Sequence, residues 1–220
     1  MATKSQTKKK LDDNSIIAMY MDYVLEEEKV PKSIYKFCKT NKIKEEEFYS
    51  FFGSIEGIQK AVWSKFYVNA IHVMHKNEEY AAFTNKDKML TFYFTIFELL
   101  TMNRSYVLFA LKEDKNMLKN LSQLKDLRDD VKSFATELIE GANADKNLKI
   151  TKKNPKIFSE GAWIQFLFLL KFWMNDSSPS FEKTDVAIEK SVNTVFDLFD
   201  NTPLESLLDF GKFLYKENMA

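Results

Sequence analysis

The chain has a single cysteine, Cys38, so no disulfide framework can form within it. Glycine occurs 5 times and proline 4 times in 220 residues, and β-branched runs are few, which argues against strands. The two histidines, His72 and His75, are spaced i, i+3 without a nearby Cys, Asp or Glu set, so no metal site is expected and both read as surface residues. Net charge is lacking as well: 32 basic residues balance 32 acidic ones, so global charge favours no polyanionic partner. No Gly-rich phosphate loop and no G-x-S-x-G sequence occurs, and paired acids such as Asp129-Asp130 have no partner histidine. No enzyme and no cofactor is expected. The Lys-rich start has no apolar core of the kind a secretory signal needs, and the expectation is a cytoplasmic protein.

What is abundant is aromatic: 15% of residues, with 20 Phe. They recur at helical spacing. Ile16, Ile17, Tyr20, Tyr23 and Val24 form one stripe, of a helix capped by Asp13 or Asn14 and running to about Glu28. Ile34, Phe37 and Cys38 form a second at i, i+3, i+4, and Phe48, Tyr49 and Phe52 a third, with Ile43 plugging the turn between them. Two short helices burying such faces against each other make a helix-turn-helix. The second of them is expected over 45–52, stopped by Gly53, with Ser54 capping the next. From Lys29 to Lys44 there are six lysines and no acid, followed at once by Glu45-Glu46-Glu47.

The segment from Ile16 to Val62 resembles the N-terminal domain of TetR-type transcriptional regulators. Ser33, Ile34, Phe37, Cys38, Ile43, Phe48, Tyr49, Phe52, Ser54, Glu56 and Ile58 fall in register with that family's pattern, and FYSFFGSIEG is its most specific part. Two positions depart from it: Lys42 stands where the turn usually has glycine, and Ile55 where a lysine is usual. The resemblance implies an all-α, TetR-like fold of about nine to ten helices. A disordered basic tail (1–12, with Lys8, Lys9 and Lys10) would precede a three-helix DNA-binding head (13–56). A helical body for effector binding and dimerisation (57–220) would follow. It implies DNA contacts from Lys32, Ser33, Lys36, Lys39, Lys44, Tyr49 and Ser50 in the major groove of double-stranded DNA. It implies a small hydrophobic effector held by Phe92, Phe94, Phe97, Tyr106, Phe109 and Phe134. It also implies a homodimer whose anchors are Trp163, Phe166, Leu170, Trp173, Val192 and Phe196. The acid triplet suits a helix dipole and opposes phosphate. It motivates an alternative, a TetR-fold protein that has lost DNA binding and holds a lipid or other apolar ligand.

In the body, Ile58, Val62, Phe66, Ala70 and Val73 form the stripe of a helix over 55–76, and Asn85 to Asp87 reads as a break. An aromatic stretch, 88–110, is expected to turn at residues 102–105. A single amphipathic helix is expected over 114–141, ended by Gly141 or Asn143, with a polar loop over 142–156. Residues 157–175 read as a helix apolar nearly all round, too short in its apolar span for a membrane. A helix over 181–200 buries Val186, Val192, Val195, Phe196 and Phe199, and Thr202-Pro203-Leu204-Glu205 reads as the capped start of a last helix.

Overall fold

The computed structural model describes residues 11–112, 117–144 and 154–201. Lys8 to Lys10, most of the expected polar loop and the last helix expected from Thr202 lie outside them. Every regular element among the described residues is helical. Among the described residues there are ten α-helices: α1 (Asp13–Glu27), α2 (Ile34–Asn41), α3 (Glu45–Tyr49), α4 (Ile55–Met74), α5 (Asn85–Met102), α6 (Arg104–Lys112), α7 (Met117–Ser122), α8 (Lys125–Ala144), α9 (Pro155–Asn175) and α10 (Glu182–Asn201). The fold is all-α, and none of the described helices is long and apolar enough to cross a membrane.

The chain forms two compact units. The first takes residues 1–67 and 100–127, the second 68–99 and 128–220. The boundary expected near residue 56 falls inside the first unit, which also recruits α6 and α7.

In the first unit the expected stripe of α1 is buried: Ile16, Ile17, Tyr20, Tyr23 and Val24. Its cap is Asp12, one residue earlier than expected, whose carboxylate accepts from the Ser15 N–H at 2.7 Å. Phe37 sits at the centre of an aromatic cluster, edge-on to Tyr20, Tyr23 and Phe48 at centroid distances of 6.3, 5.9 and 5.8 Å. Such edge-to-face pairs add roughly 0.5–1.5 kcal/mol each beyond burial. Trp63 of α4 is fully buried, and its indole N–H donates to Gln123 Oε1 at 2.8 Å. The Gln123 amide in turn donates to the Ala110 carbonyl at 2.9 Å. Gln123 explains why the helix expected over 114–141 is two helices. No Gly or Pro marks a break there, but the chain turns at Gln123 and Leu124, where the Gln123 side chain serves two buried partners. Packing also corrects α4: Met74, not Val73, continues its buried face, and Val73 is exposed.

The second unit begins with the end of α4. A 3₁₀ turn over Glu78–Ala82 follows, so the break lies before Asn85 rather than across Asn85 to Asp87. Thr84 caps α5, its hydroxyl accepting from the Asp87 N–H at 3.1 Å and donating to the Asp87 carboxylate at 2.6 Å. Asn103 alone separates α5 from α6. Gly141 does not stop α8, which continues to Ala144. Tyr93 is buried and donates to the Ala162 carbonyl at 2.8 Å, and burial pushes its hydroxyl pKa up. The Gln165 amide donates to the Ser191 hydroxyl at 3.0 Å, tying α9 to α10. On α10, Ile188, Val192 and Phe196 are buried, Val195 and Phe199 half-buried, and Val186 exposed rather than inside.

Asp176 organises the turn between α9 and α10. One carboxylate oxygen accepts from the Ser178 N–H (2.8 Å) and hydroxyl (2.7 Å). The other accepts from the Thr184 N–H (2.9 Å) and hydroxyl (2.7 Å). Burial alone raises the Asp176 pKa, but these four bonds outweigh it and hold the carboxyl at about 2. Phe181, expected to open the last described helix, lies before it with φ 60°, and α10 starts at Glu182.

Candidate nucleic-acid interface

The head is built from the α2–α3 corner. Ser33 caps α2, its hydroxyl oxygen accepting from the Lys36 N–H at 3.2 Å. Lys42 ends α2 in the left-handed region, φ 55° and ψ 35°. The Ile43 N–H reaches back to the Cys38 carbonyl at 3.0 Å and the Lys42 N–H to the Lys39 carbonyl at 3.4 Å. These two bonds make a Schellman ending, which favours glycine at the position Lys42 occupies. Cys38 beneath it is buried, and desolvation, with Glu45 and Glu47 nearby, pushes its thiol pKa up.

The helix α3 is a single turn and a half, ending at Tyr49 rather than Phe52. Ser50 follows as its cap, the hydroxyl donating to the Glu46 carbonyl at 2.9 Å. Ser54 caps α4 by accepting from the Gly57 N–H at 3.0 Å. Phe48 is the buried anchor of α3, touching Phe37, Tyr49 and Phe52.

The acid triplet has defined local partners. Glu47 accepts from the Lys44 backbone N–H at 2.8 Å, half of a capping box. Glu46 pairs with the Lys44 ammonium at 3.0 Å, and that bond raises the lysine's pKa. Both side chains of this pair are largely exposed, so its net effect on stability is small. Lys32, Ser33, Lys36, Lys39, Lys44, Tyr49 and Ser50 are all exposed on the head. Lys39 sits over the Tyr35 ring at 5.9 Å. Tyr49 is 52% exposed and Tyr35 61%, unusual for tyrosines beside a buried aromatic core. Tyr35 and Lys42 are not among the residues expected to contact DNA, although both belong to the same lysine-rich stretch.

The six aromatic residues assigned to an effector divide between the units. Tyr106 and Phe109 belong to the first; Phe92, Phe94, Phe97 and Phe134 belong to the second. Phe92 and Phe134 touch at 4.9 Å, and Phe97 packs on Phe166 at 5.8 Å. Phe94 is exposed. The residues expected as dimer anchors, Trp163, Phe166, Leu170, Trp173, Val192 and Phe196, are all buried within the single chain. The opposite face of α9 carries exposed Ile164 (65%), Phe168 (55%) and Phe172 (37%), spaced i, i+4, i+8. Among the described residues no group of three His, Cys, Asp or Glu is placed to hold a metal.

The family model of the tetracyclin repressor-like C-terminal domain matches residues 88–214, more than half of the chain. The fold is similar to the crystal structure of a candidate TetR-family transcriptional regulator from Syntrophomonas wolfei str. Goettingen. The TM-score is 0.62 at 17% identity, over 83% of this chain and 93% of that one. No curated protein matches the sequence significantly. A body matched by the family model and a capped helix-turn-helix in front of it lead to one conclusion: this chain belongs to the TetR family.

Proposed function

We propose that the chain is a dimeric transcriptional regulator that binds operator DNA through α2 and α3 and takes a small apolar effector in its C-terminal body. The observation that carries this reading is the state of the acid triplet. Glu47 is folded back onto its own helix start and Glu46 onto Lys44. Lys32, Lys36, Lys39 and Lys42 stay exposed without such a partner from the triplet. Affinity for DNA comes largely from cations neutralising phosphates, and two heads would double the number available. The exposed Ile164, Phe168 and Phe172 support self-association through α9, since a monomer gains nothing by presenting such a stripe to water.

Fluorescence anisotropy with DNA fragments flanking the gene, from 50 to 200 mM salt, tests the reading. A sequence-preferring complex should weaken on the order of 10³-fold across that range. Absence of any such complex at low salt refutes it.

A second reading rests on the Lys44–Glu46 pair, which removes the one lysine at the start of α3 from phosphate contact. On that reading the head is structural and the body holds a lipid or similar apolar molecule. Native mass spectrometry showing a co-purified ligand together with no DNA binding would favour it.

A further inference from the structure

Helix α2 has two unlike faces. Phe37 and Cys38 are buried in the core of the head, whereas Tyr35, Lys36 and Lys39 are exposed. Tyr35 is 61% exposed, more than any other Tyr, Phe or Trp among the described residues, so packing within the chain does not account for a ring there. Lys39 follows four residues later, one helical turn on, and its ammonium sits over the Tyr35 ring at 5.9 Å from the centroid. Among the described residues the Tyr35 hydroxyl has no hydrogen-bond partner and Lys39 no ion pair. The start of α3 is different in kind. Its first turn is Glu45, Glu46 and Glu47, and the Lys44 ammonium before it is taken by Glu46 at 3.0 Å. The first helix of a helix-turn-helix crosses the nucleic-acid backbone while the second enters the groove. In this chain the backbone-crossing helix is the one that carries the available donors.

We propose that Tyr35 and Lys39 form a clamp for one DNA backbone phosphate, the phenol hydroxyl donating to one phosphate oxygen and the ammonium to another. The inference rests on the head being a DNA-binding surface, and it gives Tyr35 a role outside the contacts expected from the family pattern. Phosphate contacts fix register and orientation on a duplex without reading its sequence, so Tyr35 is a positioning residue. The ring contact prepares the lysine. A lysine side chain loses much rotamer freedom when it grips a phosphate, and one already resting on a ring loses less. The hydroxyl adds a hydrogen bond to a charged acceptor, which is stronger than one between neutral groups. Lys32 and Lys36, exposed in the same stretch, supply charge for neighbouring phosphates.

A phosphate contact is blind to sequence, so its test needs no operator. The probe is a fluorescein-labelled duplex of arbitrary sequence and about 20 base pairs, two helical turns, titrated with the full chain at salt from about 50 to 200 mM. Tyr35→Phe keeps the ring and its lysine contact and removes only the hydroxyl. It should weaken binding about fivefold at the lowest salt and leave the slope of log affinity against log salt unchanged, since no cation is lost. Lys39→Gln should also weaken binding and should flatten that slope by about one for each head bound. In the Lys39→Gln background Tyr35→Phe should cost less than about twofold, because hydroxyl and ammonium grip the same phosphate. Both positions are exposed, and circular dichroism checks that each variant keeps its helicity. The clamp is overturned if Tyr35→Phe binds as tightly as the parent, if its full effect persists without Lys39, or if the parent does not bind the duplex at the lowest salt. A parent that binds with the expected variant effects but prefers no sequence supports the clamp and refutes the operator-reading regulator.

Discussion

Replacing Asp176 by Asn isolates one charge at constant size. The two oxygens of Asp176 divide their work, one serving Ser178 and the other Thr184. Asn keeps one acceptor oxygen and turns an amide against the other pair of donors, leaving buried Thr184 without its acceptor. The size of the effect follows from the pKa. The carboxyl lies at about 2 in the folded chain against an ordinary 3.8. That difference corresponds to about 2.5 kcal/mol at neutral pH, since each pKa unit is worth roughly 1.4 kcal/mol. The folded value is the lower one, so the contribution is complete above the unfolded pKa and disappears as pH falls from 3.8 toward 2. About 1 kcal/mol of it is gone by pH 3. Asp176→Asn should therefore lose about 2–3 kcal/mol in urea unfolding at pH 7, or roughly 5–10 °C in Tm. The gap to the parent should narrow on acidification. A variant as stable as the parent at pH 7, or a gap that stays constant from pH 7 to pH 3, refutes the role given to these four bonds.

Other perturbations test other parts. Lys42→Gly should stabilise the chain by about 1 kcal/mol in chemical unfolding, because glycine adopts the left-handed ending of α2 without the steric cost an L side chain bears. Gln123→Leu should cost about 1–3 kcal/mol in urea unfolding, because it strands the buried Trp63 indole N–H. Phe168→Glu should convert a dimer to a monomer by light scattering with little change in helicity, since its ring is exposed in the single chain. Glu46→Gln releases Lys44 and should tighten operator binding by about threefold at low salt, an effect that fades as salt rises.

The head was largely legible in the sequence because its signals are local. Ser33, Ser54 and the apolar spacing of Ile34, Phe37 and Cys38 fix helix starts and faces within a few residues. The end of α2 was harder, since a lysine stands where the backbone favours glycine. The α7–α8 break could not be read at all. It coincides with a glutamine whose partners, Trp63 and Ala110, lie 60 and 13 residues away in sequence. The faces of α9 were ambiguous for a different reason. A helix apolar nearly all round shows that it must be covered, but not which side its own chain covers. Trp163 and Trp173 went inward, and Ile164 and Phe168 were left outside. The acid triplet is a third case: the residues were plain, but their pairing with the Lys44 backbone and ammonium emerges only with the folded turn.

The first unit is assembled from two stretches of chain, 1–67 and 100–127. Its buried tryptophan donates its hydrogen bond to the second stretch, and Tyr20 makes one of its ring contacts there. The helix-turn-helix end of this protein is therefore not a cassette. Cutting after residue 67, within α4, and joining those 67 residues to a relative's body would bring in foreign α6 and α7 helices, with no matching glutamine for Trp63 or tyrosine for Tyr20. Grafts that exchange operator specificity should travel with residues 100–127, and inheritance of the two stretches is expected to be coupled wherever this architecture has diverged.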